Sequence, residues 1–275
     1  SVICEANFKP MRILLICLLL LSSAPSFSQL ASGPMLGYCE IKESLIWLQT
    51  DGAAEVRIVY WEGEKVDSLC YTSMVQTNLE SAYTAKLLAF TKPGLTYYYR
   101  VQVDGTLMPS TFQLESQPLW QYRIDPPAFT LATGSCTYIN EPEVDRPGKP
   151  YGAEYKIFES IAEKKPDVML WLGDNIYLRE VDFNSKSSIH HRYSHMRKLP
   201  ELQNLLHACP HYAIWDDHDF GPNDSDRSFI HKEWTEEAFE MFWGNNGFGL
   251  PGMPGITGQF TYADVDVFLL DNRYF

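Results

Sequence analysis

The sequence predicts an all-β sandwich followed by an α/β unit, and three observations carry that prediction. From about Leu36 to Glu115, short runs with apolar residues at alternate positions are separated by turn signals. Two adjacent prolines then interrupt the chain at Gln117 to Pro127 (QPLWQYRIDPP), blocking helix and removing ladder donors. Beyond that seam, apolar strand runs alternate with helical periodicity. The expected division is 1–28 as a leader, 29–125 as the sandwich and 126–275 as the α/β domain.

Within the sandwich the strand runs are SLIWLQT, AEVRIVYWEG, LCYTSMVQT, SAYTAKLLAF, LTYYYRVQVDG and STFQLES. In the fifth, Leu95, Tyr97, Tyr99, Val101 and Val103 share one face, and Thr96, Tyr98, Arg100, Gln102 and Asp104 share the other. That is the period of a half-buried strand. Its entry, PGLTYYYRV, resembles a late strand of fibronectin type III-like domains. In the second part AFTLATG is a strand, a helix runs through Tyr155, Phe158, Ile161 and Ala162, and DVMLWLG is a buried strand. A helix at PELQNLLHA, the strand HYAIWD, a helix with Trp234, Ala238, Met241 and Phe242 on one face and the strand VDVFLLD follow.

The leader is read from Ile13 to Leu21 (ILLICLLLL), an apolar run too short to span a bilayer. Lys9 and Arg12 flank it, and the small residues of SSAPSFS place cleavage before Gln29. Met11 is then the expected start, with residues 1–10 upstream of it. A secreted or periplasmic protein with no transmembrane anchor is the expectation. Cys39, Cys70, Cys136 and Cys209 remain after the leader, and a Cys39–Cys70 pairing stays open against two small packed residues.

The 275 residues carry 22 Lys+Arg against 35 Asp+Glu, a formal charge of −13. Such a chain has no bulk positive field for gathering a nucleic-acid backbone, so a nucleic-acid scaffold role is excluded. Chemistry on phosphate would need a local positive centre, and a metal held by acidic side chains supplies one.

In an open α/β sheet, ligands collect beyond the carboxyl ends of the strands. AFTLATG ends in Ser135-Cys136, DVMLWLG in Asp174-Asn175-Ile176-Tyr177, and HYAIW in Asp216-Asp217-His218-Asp219. Alone, each has an ordinary structural explanation: a packed cysteine, a capping aspartate, a solvated acidic loop. Together they put metal-ligand types at one edge of one sheet. His190, His191 and His195 crowd a helical stretch but lack the Glu of the zincin pattern, which favours a solvated helix face.

GSC at 134–136, GDNIY at 173–177, WDDHD at 215–219 and FLLDNR at 268–273 resemble, in order and spacing, the PhoD-like alkaline phosphatases and phosphodiesterases of the calcineurin-like metallophosphatase superfamily. The resemblance implies an α/β metallophosphatase-type catalytic domain, part of an αββα sandwich, behind a β-sandwich. It implies metal ligands at Cys136, Asp174, Tyr177 and Asp217, a catalytic His218, and phosphoester hydrolysis by metal-activated hydroxide. Thiolate and phenolate favour ferric iron and the carboxylates suit calcium, with other divalent metals open. Asp216 and Asp219 are expected to orient ligands. Asn223 is expected to complete a calcium site or to make a turn. Arg179 and Arg273 are each expected to reach a substrate phosphate or to pair with a carboxylate.

The family draws further histidines from strands after an FLLD-like one, and four residues follow Asp271 here. The expectation is therefore the N-terminal part of the family's domain, weakly active or inactive by itself and with apolar sheet exposed. A small phosphoester is the expected substrate, and the oligomeric state stays open. The alternative is a secreted sandwich-domain binding protein with a structural or degenerate metal site. Purple acid phosphatases share the layout but lack the GSC opening and WDDHD.

Overall fold

The computed structural model describes residues 29–275 apart from Lys65 and Asp67, so the leader lies outside the described residues. The chain is mostly β-sheet, with few helices. Strands β1 (Leu30–Cys39), β2 (Glu43–Thr50) and β6 (Thr84–Phe90) form one antiparallel sheet in the order β1-β2-β6. A second sheet is built on β3 (Glu55–Glu62) and β7 (Thr96–Val103). The short strands β4 (Cys70–Tyr71) and β5 (Val75–Gln76) pair with β3, and β8 (Thr106–Leu107) and β9 (Phe112–Glu115) pair with β7.

The alternation in β7 is realised: Tyr97, Tyr99, Val101 and Val103 are buried, and the residues between them are half-buried. They meet Leu36, Ile46, Leu48 and Leu87 of the first sheet in one core. The run LCYTSMVQT, expected as a strand, is two short bridges around a bend. Thr72 turns inward there, its hydroxyl accepting from the Ile58 N–H at 3.0 Å. Asp104 and Gly105 close the β7–β8 hairpin with φ of 46° and 77°, the left-handed pair that a tight two-residue turn requires.

The α/β part has β10 (Leu131–Gly134), β11 (Val168–Leu172) and β12 (His211–Ile214) as a parallel sheet, in the order β10-β11-β12. Around it lie α1 (Ile157–Glu163), α2 (Lys186–Arg197), α3 (Pro200–Leu206), the short α4 (Asp217–Phe220) and α5 (Lys232–Phe242). The last run is a strand, as expected. VDVFLLD yields β14 (Val265–Leu269), which joins β13 (Gly258–Tyr262) in a separate antiparallel hairpin rather than extending the parallel sheet. A short apolar run does not distinguish these two pairings. Leu131, Leu172 and Phe268 of these strands are exposed, as is Leu270 just past β14.

The two parts share the β1-β2-β6 sheet. Every residue of β2 after Glu43 is buried, because its second face packs on the α/β unit. Trp47 donates its indole N–H to the Met241 carbonyl at 3.0 Å, and Gln49 Nε2 donates to Ser194 Oγ at 2.8 Å. The Arg197 guanidinium is buried over the rings of Trp47 and Trp243. At the seam, Gln117 Nε2 donates to Cys39 O, and its Oε1 accepts from the Ala263 N–H.

Gly37 and Gly244 pack closely between the parts: a Cβ on Gly244 would lie 2.6 Å from Gly37 Cα. Neither glycine needs a left-handed backbone, so the requirement is space. Gly244→Ala is expected to cost about 1–3 kcal/mol through overpacking, while Gly247→Ala, which meets nothing within 4 Å, leaves stability unchanged. Thermal unfolding of the two variants checks this, and equal melting temperatures contradict it.

His211 gives the core a pH dependence. It is fully buried on β12, its Nδ1 accepting from the Trp171 indole N–H and its Nε2–H donating to Leu205 O, each at 2.9 Å. Burial pushes its pKa down to about 3, so the folded ring stays neutral where the unfolded one takes a proton. The fold is therefore penalised as pH falls below the ordinary histidine value of about 6.5, by about 1.4 kcal/mol per unit until the folded pKa is reached. Urea unfolding at pH 7 and pH 5 is expected to show about 2 kcal/mol of this loss in wild type and to lack it in His211→Gln. An identical pH slope in both proteins contradicts the assignment.

Candidate metal centre

Parallel pairing of β10, β11 and β12 brings the ends of all three strands to one edge, and the loops leaving them bond to one another. The Cys136 N–H donates to Gly173 O at 3.2 Å, the Thr137 N–H to Asp174 O at 2.7 Å, and the Leu178 N–H to His218 O at 3.2 Å. Two residues in these loops sit in the left-handed region without being glycine, Cys136 at φ 59° and Asp174 at φ 52°. Such conformations cost on the order of 1–3 kcal/mol each and persist where the surroundings fix them. Gly173, at φ 97°, allows the close approach, since a Cβ there would lie 2.6 Å from Asp216 Cβ.

Asp174 is the hub. Its Oδ2 accepts from Tyr177 Oη at 2.9 Å and from Cys136 Sγ at 3.7 Å, and its Oδ1 accepts from the His218 N–H at 3.4 Å. Ligand atoms of Asp174, Asp217 and His218 lie within 4.8 Å of one another. The His218 and Tyr177 rings are 4.3 Å apart between centroids. The structure thus brings together Cys136, Asp174, Tyr177, Asp217 and His218, from three separate strand ends. Burial, followed by the neighbouring Cys136 and Asp174, pushes the Tyr177 phenol above its ordinary range. Burial raises Asp217 too, but the Asp224 N–H, His218 and Arg273 outweigh it and hold this carboxyl below the usual value.

Asp219 is fully buried and accepts from the backbone N–H groups of Asp216, Asn175 and Ile176 at 3.0–3.2 Å. It ties the GDNIY loop to the WDDHD loop, and burial pushes its pKa up to about 8 against the pull of those donors. Asp216 pairs with Arg273, whose Nε donates to Asp216 Oδ1 at 2.6 Å, and a terminal nitrogen of Arg273 lies 3.8 Å from Asp217 Oδ1. Asn223 bonds to Asp224, whose N–H reaches Asp217 Oδ2 from a left-handed φ of 58°; these two residues form a turn bracing Asp217.

Arg179 pairs with a carboxylate, one of the two arrangements expected of it. Its guanidinium is 5% exposed and committed: Nε pairs with Asp145 at 2.9 Å, and the terminal nitrogens donate to the carbonyls of Tyr177 and Ile139. It also lies 4.3 Å from the Tyr138 ring centroid. These bonds join the segment after Cys136 to GDNIY. That segment forms part of an open cleft of ≈ 660 Å³ in which Tyr138, Tyr151, Phe183, Tyr177 and His218 take part. Sequence reasoning missed Tyr138, Asp145 and Tyr151, which follow GSC in a loop without periodicity. The one available signal was their closeness to that motif.

Residues 27–118 match a family model described as a domain of unknown function (DUF7800). No curated protein matches. Among solved structures, that of PhoD matches with a TM-score of 0.72 and 19% identity, over 92% of this chain and 54% of that one. The fold is similar to that of PhoD. The chain spans about half the length of that structure. The sensor domain of the anti-sigma factor RsgI4 of Pseudobacteroides cellulosolvens matches at TM-score 0.28 and 17% identity, over 35% of this chain and 100% of that one. No helix among the described residues is long and apolar enough to cross a membrane. Cys39, Cys70, Cys136 and Cys209 are free thiols, and a Cys39–Cys70 bridge is not formed.

Proposed function

We propose that this protein is a secreted, metal-dependent phosphoester hydrolase of the PhoD-like kind, with a metallophosphatase-type domain behind the β-sandwich. The observation that carries the reading is the convergence of Cys136, Asp174, Tyr177, Asp217 and His218 around one carboxylate. The donor set fits a metal. A thiol, a phenol and a carboxylate that would all be anionic on ionisation are packed together without a neutralising side chain between them. Cys136 and Tyr177 would hold ferric iron, Asp217 would hold calcium, and Asp174 would serve both. When bound, the metals supply Lewis acidity and neutralise charge that develops on a transferring phosphoryl group.

The chain's own residues do the rest. His218, packed against Tyr177 at the cleft, is placed to donate a proton to a phosphoryl oxygen or to the leaving-group oxygen. Arg273 holds Asp216 beside Asp217 and keeps a positive charge at the rim. Tyr138, Tyr151 and Phe183 offer a largely aromatic wall to the organic part of the substrate. The net charge of −13 repels long polyanions, which favours small phosphoesters.

Since this chain covers 54% of PhoD, hydrolysis of small mono- and diesters is to be measured on a protein of PhoD's full length carrying these residues, before and after chelation. Turnover is expected to fall at least about 100-fold on metal removal and to return with iron and calcium. Turnover untouched by chelation, or full turnover in His218→Ala, sinks it.

A further inference from the structure

A second group of metal-ligand side chains lies away from that centre. Helix α2 carries His191 and His195 one turn apart, with ring centroids separated by 5.9 Å, and both turn toward Glu141 in the segment that follows GSC. His191 Nε2 is 2.8 Å from Glu141 Oε1. His195 Nε2 is 3.1 Å from the Asn140 carbonyl, which can only accept, so Nε2 carries the proton and Nδ1 keeps a free lone pair. A histidine whose far nitrogen donates to a carbonyl has the second-sphere arrangement usual for a metal ligand. Arg192 donates to the other oxygen of Glu141 and to Asp182, which orients the carboxylate with Oε1 facing His191, so that an ion binding here would replace the direct His191–Glu141 contact.

We propose that Glu141, His191 and His195 form a separate site for a borderline divalent transition metal, zinc being the best match, that clips α2 to the 139–145 segment. Two imidazoles and one carboxylate suit zinc rather than calcium or magnesium, which take oxygen ligands. One potential ligand atom from each of the three side chains lies within 4.8 Å of the others, and tetrahedral zinc brings its ligands to about 3.3 Å, so side-chain rotation is needed to close the site. His191 is 53% exposed, which gives the ion an entry path and leaves room for a water as fourth ligand.

The clip would bear on the cleft. Ile139 O and Asp145 are the anchors of Arg179, and Tyr138 packs on Tyr177 with centroids 4.9 Å apart. Zinc at this site would hold that wall in place from behind. The inference stands whether or not the phosphoesterase reading does.

The test is zinc titration by calorimetry on the full chain carrying Cys136→Ser, Asp174→Asn and Asp217→Asn, which removes the thiol and both carboxylates of the other centre. A single saturable equivalent is expected, weakened at least about tenfold by His191→Gln or His195→Gln. Zinc is also expected to slow amide exchange across residues 139–145. The exposed His191→Gln variant leaves the fold intact, so loss of binding there is not loss of structure. No saturable uptake, or uptake unchanged in both histidine variants, overturns the proposal.

Discussion

Asp174→Asn is expected to reduce phosphoester turnover by about 1000-fold or more while leaving the fold nearly unchanged. The asparagine keeps the shape and one acceptor oxygen, but it loses the charge that would serve two ions. It also turns an amide toward Tyr177 or Cys136, both of which now donate to this carboxylate. Bound metal should fall in parallel with turnover, and the melting temperature should stay close to wild type. A variant that retains metal and most of its turnover would remove Asp174 from the centre.

Asp219→Ala is expected to have the largest effect on stability among the site residues, about 3 kcal/mol or more. The buried carboxyl serves the N–H groups of Asp216, Asn175 and Ile176, and alanine leaves all three without an acceptor where water cannot replace it. Each such orphan costs about 1–3 kcal/mol, with less than full additivity among neighbours. Because the same bonds join the two motif loops, turnover should fall as well. Asp219→Asn retains an acceptor oxygen and is expected to recover part of the loss. Urea unfolding of the three proteins measures this, and a change below about 0.5 kcal/mol in the alanine variant contradicts it.

The parts of this structure legible in the sequence are those where one local pattern has one structural solution. Tyr97, Tyr99, Val101 and Val103 alternate and are buried as alternation requires. Cys136, Asp174 and Asp217 each follow an apolar run, and parallel pairing of those runs puts their ends side by side. Other features depend on contacts that no local pattern encodes. β1 escaped notice over its first half because Gly33, Pro34 and Gly37 read as turn residues, yet its register tolerates the irregularities they bring. β14 carries the same apolar run whether it joins a parallel sheet or a hairpin, and only the hidden partner β13 decides.

For Arg179 the sequence leaves phosphate contact and carboxylate pairing open, because its partner, Asp145, lies 34 residues earlier in an irregular loop. The histidines of α2 read as solvated because Glu141, 50 residues before His191, could not be placed beside them. Helix α2 also carries a buried face, with Ile189, Tyr193 and Met196 in the core. Its polar-rich sequence conceals that face.

The most direct test of the central claim, that Cys136, Asp174, Tyr177 and Asp217 make one metal centre, is elemental analysis with a visible spectrum of the purified protein beside Tyr177→Phe. The account predicts bound iron with a phenolate-to-iron band that disappears in the phenylalanine variant. A colourless protein without iron, or a band unchanged in Tyr177→Phe, would contradict it.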